Sequence, residues 1–80
     1  MDDPSLVLAI REVVAREVGI EPGAIQLDSQ LGDFDIDSLD IMRLAVVFER
    51  TFKINVAAGE LGGLVTFGDI VSTIERKIKM

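Results

Sequence analysis

Ile41, Leu44, Ala45, Phe48 and Phe52 recur at steps of three and four residues. That period belongs to one face of an α-helix. A second apolar set, Leu39, Met42 and Val46, keeps the same period and runs beside the first. A helix over 38–52 therefore carries more apolar surface than one core contact requires. Asp40, Arg43, Val47 and Arg50 are left for its remaining face. The chain is expected to fold around this segment, with the second stripe covered by another element or kept for a partner.

The other helices follow from the same test. Leu6, Ile10, Val13, Val14 and the Glu17–Val18 step give a helix over about 4–18, with Arg11, Glu12 and Arg16 on its other side. Asp3 is a suitable N-cap, Pro4 suits the first helical position, and Gly19 is a natural stop. Near the C-terminus, Thr66 and Asp69 have capping-box spacing, and Phe67, Ile70, Val71, Ile74 and Ile78 form a core stripe. Arg76, Lys77 and Lys79 fall in the last turn, where the helix dipole favours positive charge. Between these helices, Ala57, Ala58, Gly59, Gly62 and Gly63 give weak helix propensity. One short helix is expected at about 57–63, with Val56, Leu61 and Leu64 toward the core.

Residues 19 to about 36 make a long connection broken by Pro22 and Gly23. Ile25, Leu27, Leu31 and Phe34 are expected to pin it to the core. The predicted fold is all-α: a small bundle of three main helices plus one short helix, with the long loop between the first two.

An 80-residue chain has room for one domain with a thin core, taken here as residues 1–80. It contains no Cys, so helix packing and not disulfides must hold it together. With 14 acids against 8 bases its formal net charge is −6, which disfavours nucleic acid and suits partners with basic surfaces. Its apolar runs, such as Leu6 to Ile10 and Leu44 to Phe48, are too short to span a bilayer, and no signal peptide is recognised. A monomer in the cytoplasm is the expectation.

The stretch Asp35-Ile36-Asp37-Ser38-Leu39-Asp40 leads into the central helix. Asp37 is a good N-cap, which puts Ser38 in the first turn, among free N–H groups at the positive end of the dipole. A phosphate ester on Ser38 would be favoured there. Ser38 has no means of activating itself. The chain has no His and no Cys, so Ser-His and Cys-His catalysis are excluded. A serine of this kind is either a plain capping residue or an acceptor modified by another enzyme.

Asp33, Asp35 and Asp37 alternate like the start of an EF-hand loop. The match stops there: Ser38 stands where the turn glycine belongs, Asp40 at the apolar eighth position and Leu44 at the bidentate twelfth. A calcium loop is rejected. Asp28, Asp33, Asp35, Asp37 and Asp40 leave room only for weak, incidental binding of divalent ions, and no metal site is assigned.

Asp37-Ser38-Leu39-Asp40, followed by an apolar helix ending Phe48-Glu49-Arg50-Thr51-Phe52, resembles the acyl carrier protein family. The resemblance covers nearly the whole chain and puts the attachment serine near its middle. It implies a 4'-phosphopantetheine arm on Ser38, installed from coenzyme A by a phosphopantetheinyl transferase, with acyl groups held as thioesters at its tip. It implies that Asp37 and Leu39 shape the surroundings of Ser38 for that transferase. It implies acyl-transferring and chain-elongating enzymes as partners, and no catalysis by the chain itself. Leu39, Asp40, Met42, Arg43, Val46, Glu49 and Arg50 become the expected partner-binding residues. The glycines of the short helix would suit a segment that moves to admit an acyl chain, or plain turns.

Two departures stand out. The family usually has Leu-Gly where Phe34-Asp35 stands here, which bears on the conformation of the loop. The helix after the serine is typically acidic in the family, yet Arg43 and Arg50 intrude on it, which points to a dedicated pathway over general fatty acid synthesis. Two other readings remain: a carrier of aminoacyl, peptidyl or polyketide intermediates, and an unmodified helical module whose second stripe binds a partner helix. A mass spectrum separates carrier from module.

Overall fold

A computed structural model of the chain describes residues 4–79. Four α-helices follow in order: α1 (Pro4–Val18), α2 (Ser38–Phe52), α3 (Ala58–Gly62) and α4 (Phe67–Lys79). Among the described residues there is no strand, only an isolated antiparallel bridge between Gln30 and Thr66. α1 packs on α2 and α4, and α2 packs on α3. No helix among the described residues is long and apolar enough to cross a membrane.

α1 has the expected length; the Asp3 cap assigned to it lies outside the described residues. Its buried face is centred on Ile10 and Val14 and includes Val7, Val13 and Ala15, with Leu6 and Val18 only partly buried. The stop is as expected: Gly19 takes φ +81°, and its N–H and that of Ile20 both donate to the Ala15 carbonyl, at 2.8 and 3.0 Å.

The long connection is more ordered than its composition indicates. It contains two 3₁₀ turns, Pro22–Ala24 and Leu31–Phe34. Ile25 and Leu31 are buried, and Phe34 packs partly against the core, as expected. Leu27 is a correction: its side chain is exposed, and its backbone makes the attachment instead. The Leu27 carbonyl accepts from the Gly68 N–H at 2.8 Å, and the Ser29 carbonyl from the Phe67 N–H at 3.0 Å. The Leu31 N–H donates to the Val65 carbonyl at 2.8 Å. The loop is thus stitched to the start of α4 by main-chain bonds, which any side chain can make. Gly68 is required there, because a Cβ at that position would lie 2.9 Å from the Leu27 oxygen. Arg11 adds a third element: its Nε donates to the Ile25 carbonyl at 3.0 Å, and its guanidinium lies 5.7 Å from the centre of the Phe67 ring.

α2 buries Leu44, Ala45 and Phe48, with Ile41 and Phe52 partly buried beside them. The Phe48 and Phe52 ring centres are 6.2 Å apart, a tilted aromatic contact within the stripe. Val47, assigned to the outer face, is instead partly buried against the core. Complete burial of Phe48 removes its ring from water and contributes roughly 1.5–3 kcal/mol, a sizeable share for a core this small. Leu39, Met42 and Val46 stay exposed, so neither the loop nor α3 covers the second stripe.

α3 is a single short turn, as the glycines foretold, held by the buried Leu61 and flanked by buried Val56 and partly buried Leu64. Glu60 fastens it at two points. One carboxylate oxygen accepts from the Ala57 N–H at 2.8 Å, and the other lies 2.8 Å from the Lys77 ammonium on α4. Lys77 is therefore a strut between helices as well as a charge at a helix end.

The α4 capping box is present. Thr66 Oγ1 accepts from the Asp69 N–H at 3.1 Å, and the Asp69 carboxylate accepts from the Thr66 and Val65 N–H groups at 3.0 and 3.1 Å. Phe67, Ile70, Val71 and Ile74 are buried. Ile78 is a further correction: at 42% exposure it lies one turn beyond the buried Ile74, where α4 has run past the core. Thr73 is the buried polar residue of α4, and its hydroxyl donates back to the Asp69 carbonyl at 2.9 Å.

Candidate functional site

The approach to α2 is built residue by residue. The turn Leu31–Phe34 ends at Asp35, whose N–H donates to the Gly32 carbonyl at 3.4 Å. Asp35 has φ +53° and ψ +40°, in the left-handed region. Glycine takes that conformation freely, and Asp is among the few other residues that tolerate it. Phe34 and Ile36 on either side pack partly into the core and fix the reversal. The Phe34-Asp35 departure therefore preserves an apolar anchor followed by a positive-φ residue.

Asp37 then caps the helix. Its Oδ1 accepts from the Asp40 N–H at 2.9 Å, and Asp40 Oδ2 accepts from the Asp37 N–H at 3.3 Å. Ser38, between them, is the first residue of α2 and is exposed. Its hydroxyl makes no hydrogen bond to any described residue, so it plays no part in the cap that Asp37 provides.

Beside Ser38 lies an open groove of about 410 Å³. Ile36, Ile41 and Met42 form one side, and Ala58, Gly59 and Gly62 of α3 the other. A Cβ at Gly59 or Gly62 would meet nothing within 4 Å, so the absent side chains leave space along that wall. The sequence did not reveal this juxtaposition. Ile41 reads simply as core, and nothing in the spacing of the α3 glycines says which element they face.

The residues expected to meet partners divide into two groups. Leu39, Met42 and Val46 are exposed at 59%, 55% and 46%. Arg43 and Arg50 are also exposed. Arg43 lies 3.7 Å from Asp40, a long pair whose guanidinium is mostly exposed, and Arg50 makes no ion pair among the described residues. Asp40 and Glu49, by contrast, are half-buried. Asp40 is used in the cap, and a Glu49 carboxylate oxygen accepts from the Val56 N–H at 3.1 Å, closing the turn after α2. Among the described residues no cluster of acids is arranged to hold a metal ion, so the run from Asp28 to Asp40 does not converge.

Residues 9–74 match the family described as the phosphopantetheine attachment site. The chain is 32% identical over 68 residues to an acyl carrier protein of Campylobacter concisus, covering 84% of this chain and 88% of that one. It is 36% identical over 72 residues to an acyl carrier protein of Rhodococcus erythropolis, covering 89% and 79%. It is 35% identical over 72 residues to a meromycolate extension acyl carrier protein of Mycobacterium leprae, covering 89% of this chain and 63% of that longer one. Fold and matches together define a phosphopantetheine-bearing carrier domain. The chain belongs to the acyl carrier protein family. Its role is to carry acyl groups on a 4'-phosphopantetheine arm; the family consists of carriers that serve biosynthetic enzymes, not of catalysts.

Proposed function

We propose that Ser38 is the attachment residue and that residues 1–80 act as one carrier domain, a cytoplasmic monomer with no catalytic activity of its own. The observation that carries this is the Ser38 hydroxyl: exposed, unbonded, at the first position of α2 and at the mouth of an apolar groove. The surroundings fit the group. A phosphodiester at this position meets the free N–H groups and positive dipole of the α2 N-terminus. Asp37 and Leu39 flank the hydroxyl and present it to a phosphopantetheinyl transferase. In the transfer, Ser38 Oγ forms the new P–O bond, the adenosine bisphosphate of coenzyme A leaves, and the hydroxyl proton passes to the transferase.

The arm supplies a terminal thiol that holds acyl groups as thioesters. The chain's own residues position and shelter that cargo. Ile36, Ile41 and Met42 offer apolar surface next to Ser38, and Gly59 and Gly62 leave room opposite them. Leu39, Asp40, Met42, Arg43, Val46, Glu49 and Arg50 lie along the helix that begins at Ser38, and form the docking region for acyl-transferring and chain-elongating enzymes. A pathway such as fatty acid, polyketide or meromycolate-type extension falls within this reading. Mass measurement after incubation with a transferase, coenzyme A and Mg²⁺ tests it, with Ser38→Ala as the control.

A further inference from the structure

The acids of α2 and its cap are turned to structural use. Asp37 caps the Asp40 N–H, Asp40 caps the Asp37 N–H, and Glu49 holds the Val56 N–H. Asp37, at the serine end, is the one that stays exposed. From Ile41 to Lys53 the exposed ionic side chains are Arg43, Arg50 and Lys53. In a chain of net charge −6, the exposed ionic side chains along the body of this helix are thus all basic, while its acids are half-buried and hydrogen-bonded to backbone N–H groups.

The spacing gives that charge a pattern. Leu39, Arg43, Val46 and Arg50 advance by four, three and four residues, so they share one face, with Met42 at its edge. Arg43 and Arg50 are separated by two turns, roughly 10 Å along the axis. Val46 lies between them, and Leu39 precedes Arg43 toward Ser38. The Asp40 contact at 3.7 Å offsets little of the Arg43 charge, because its guanidinium is mostly exposed and such pairs are weak. Arginine fits this position because its planar donors grip carboxylates in pairs.

We propose that the outer face of α2 docks into an apolar groove of a partner enzyme whose rim carries Asp and Glu side chains opposite Arg43 and Arg50. The apolar side chains supply the buried contact, and the two arginines set register and select against partners with basic rims. Anionic lipid is the other surface that apolar and cationic side chains on one helix can meet. The net charge of the chain opposes it, since an acidic protein is repelled from such a surface beyond the first contact. The carrier reading enters only in calling the partner an enzyme; the chemistry of the face stands on the geometry of α2.

The test uses the full, unmodified chain, so it does not depend on attachment at Ser38, which mass measurement on a separate aliquot decides. Two helical peptides serve as probes, each with the same leucine stripe, one flanked by Glu and one by Lys. The Glu-flanked peptide is expected to shift the amide resonances of Leu39 through Arg50 and to bind about tenfold more tightly than the Lys-flanked one. Arg43→Glu/Arg50→Glu is expected to reverse that order, with both differences shrinking as salt rises. Equal or tighter binding of the Lys-flanked peptide, or failure of the Glu-flanked peptide to move the α2 amides, overturns the proposal. So does saturable binding of phosphatidylglycerol vesicles through those same amides.

Discussion

Asp37 and Asp40 cap each other: each carboxylate accepts the backbone N–H of the other residue, at 2.9 and 3.3 Å, with Ser38 enclosed between them. The first turn of α2 is therefore held by acids that leave the serine hydroxyl unengaged. Loss of an N-cap acid costs about 1 kcal/mol. Asp37→Ala is expected to lower stability by roughly that amount in urea unfolding, and Asp37→Asn by much less, because the amide oxygen still caps. Ser38→Ala should change stability by less than about 0.5 kcal/mol, as for an ordinary surface substitution. An Asp37→Ala variant as stable as the parent would show that the cap contributes nothing in solution.

Asp35 makes a separate prediction about the loop. Its φ of +53° costs a residue with a bulky Cβ about 1–2 kcal/mol, and a β-branched one is worst placed to adopt it. Asp35→Val should therefore lose about that much stability, while Asp35→Gly should stay within about 0.5 kcal/mol, since easier left-handed geometry offsets the greater freedom of the unfolded chain. Equal losses for Val and Gly would show that the Asp side chain matters and not the backbone conformation.

Much of this architecture was legible from period and punctuation. The bounds of α1 and α2 follow from Pro4, Gly19, Asp37 and the apolar stripe, and the α4 cap follows from Thr66 and Asp69. Local rules suffice there because caps and stripes are local. Leu27 and Ile78 failed for a different reason. Hydrophobic residues mark candidates for burial, but whether a core reaches them depends on where neighbouring elements end. Leu27 was replaced by its own carbonyl, and Ile78 outran the bundle. Likewise, the three main-chain bonds from the loop to Val65, Phe67 and Gly68 leave no side-chain signature apart from Gly68 itself. Of the site, Ser38 and its cap were legible. The groove wall from α3 was not, because only packing brings Gly59 and Gly62 across from Ile41. Nor was the engagement of Glu49 with Val56, which takes that acid off the free surface.

Stability should depend on pH through two carboxylates. The Lys77 ammonium, followed by the Ala57 N–H, holds Glu60 below its ordinary value of 4.5. The Thr66 and Val65 N–H groups hold Asp69 below its ordinary value of 3.8. A carboxyl group with a depressed folded-state pKa stabilises above its unfolded value, and that contribution is lost as pH falls through the folded value. The Glu60→Gln/Asp69→Asn variant should thus melt below the parent at neutral pH. The difference should shrink once pH drops below 4.5 and then 3.8. A difference that stays constant to low pH would exclude ionisation of these groups as its source.

The carrier role of this chain turns on Ser38 as the residue that bears the arm. The most direct measurement is the intact mass of the chain after incubation with a phosphopantetheinyl transferase, coenzyme A and Mg²⁺, followed by fragmentation to locate the adduct. Attachment at Ser38 predicts one added phosphopantetheine, on that residue, and none on a Ser38→Ala variant that keeps the parent's helical spectrum. A chain left unmodified by several such transferases, or an adduct on another residue, would contradict it.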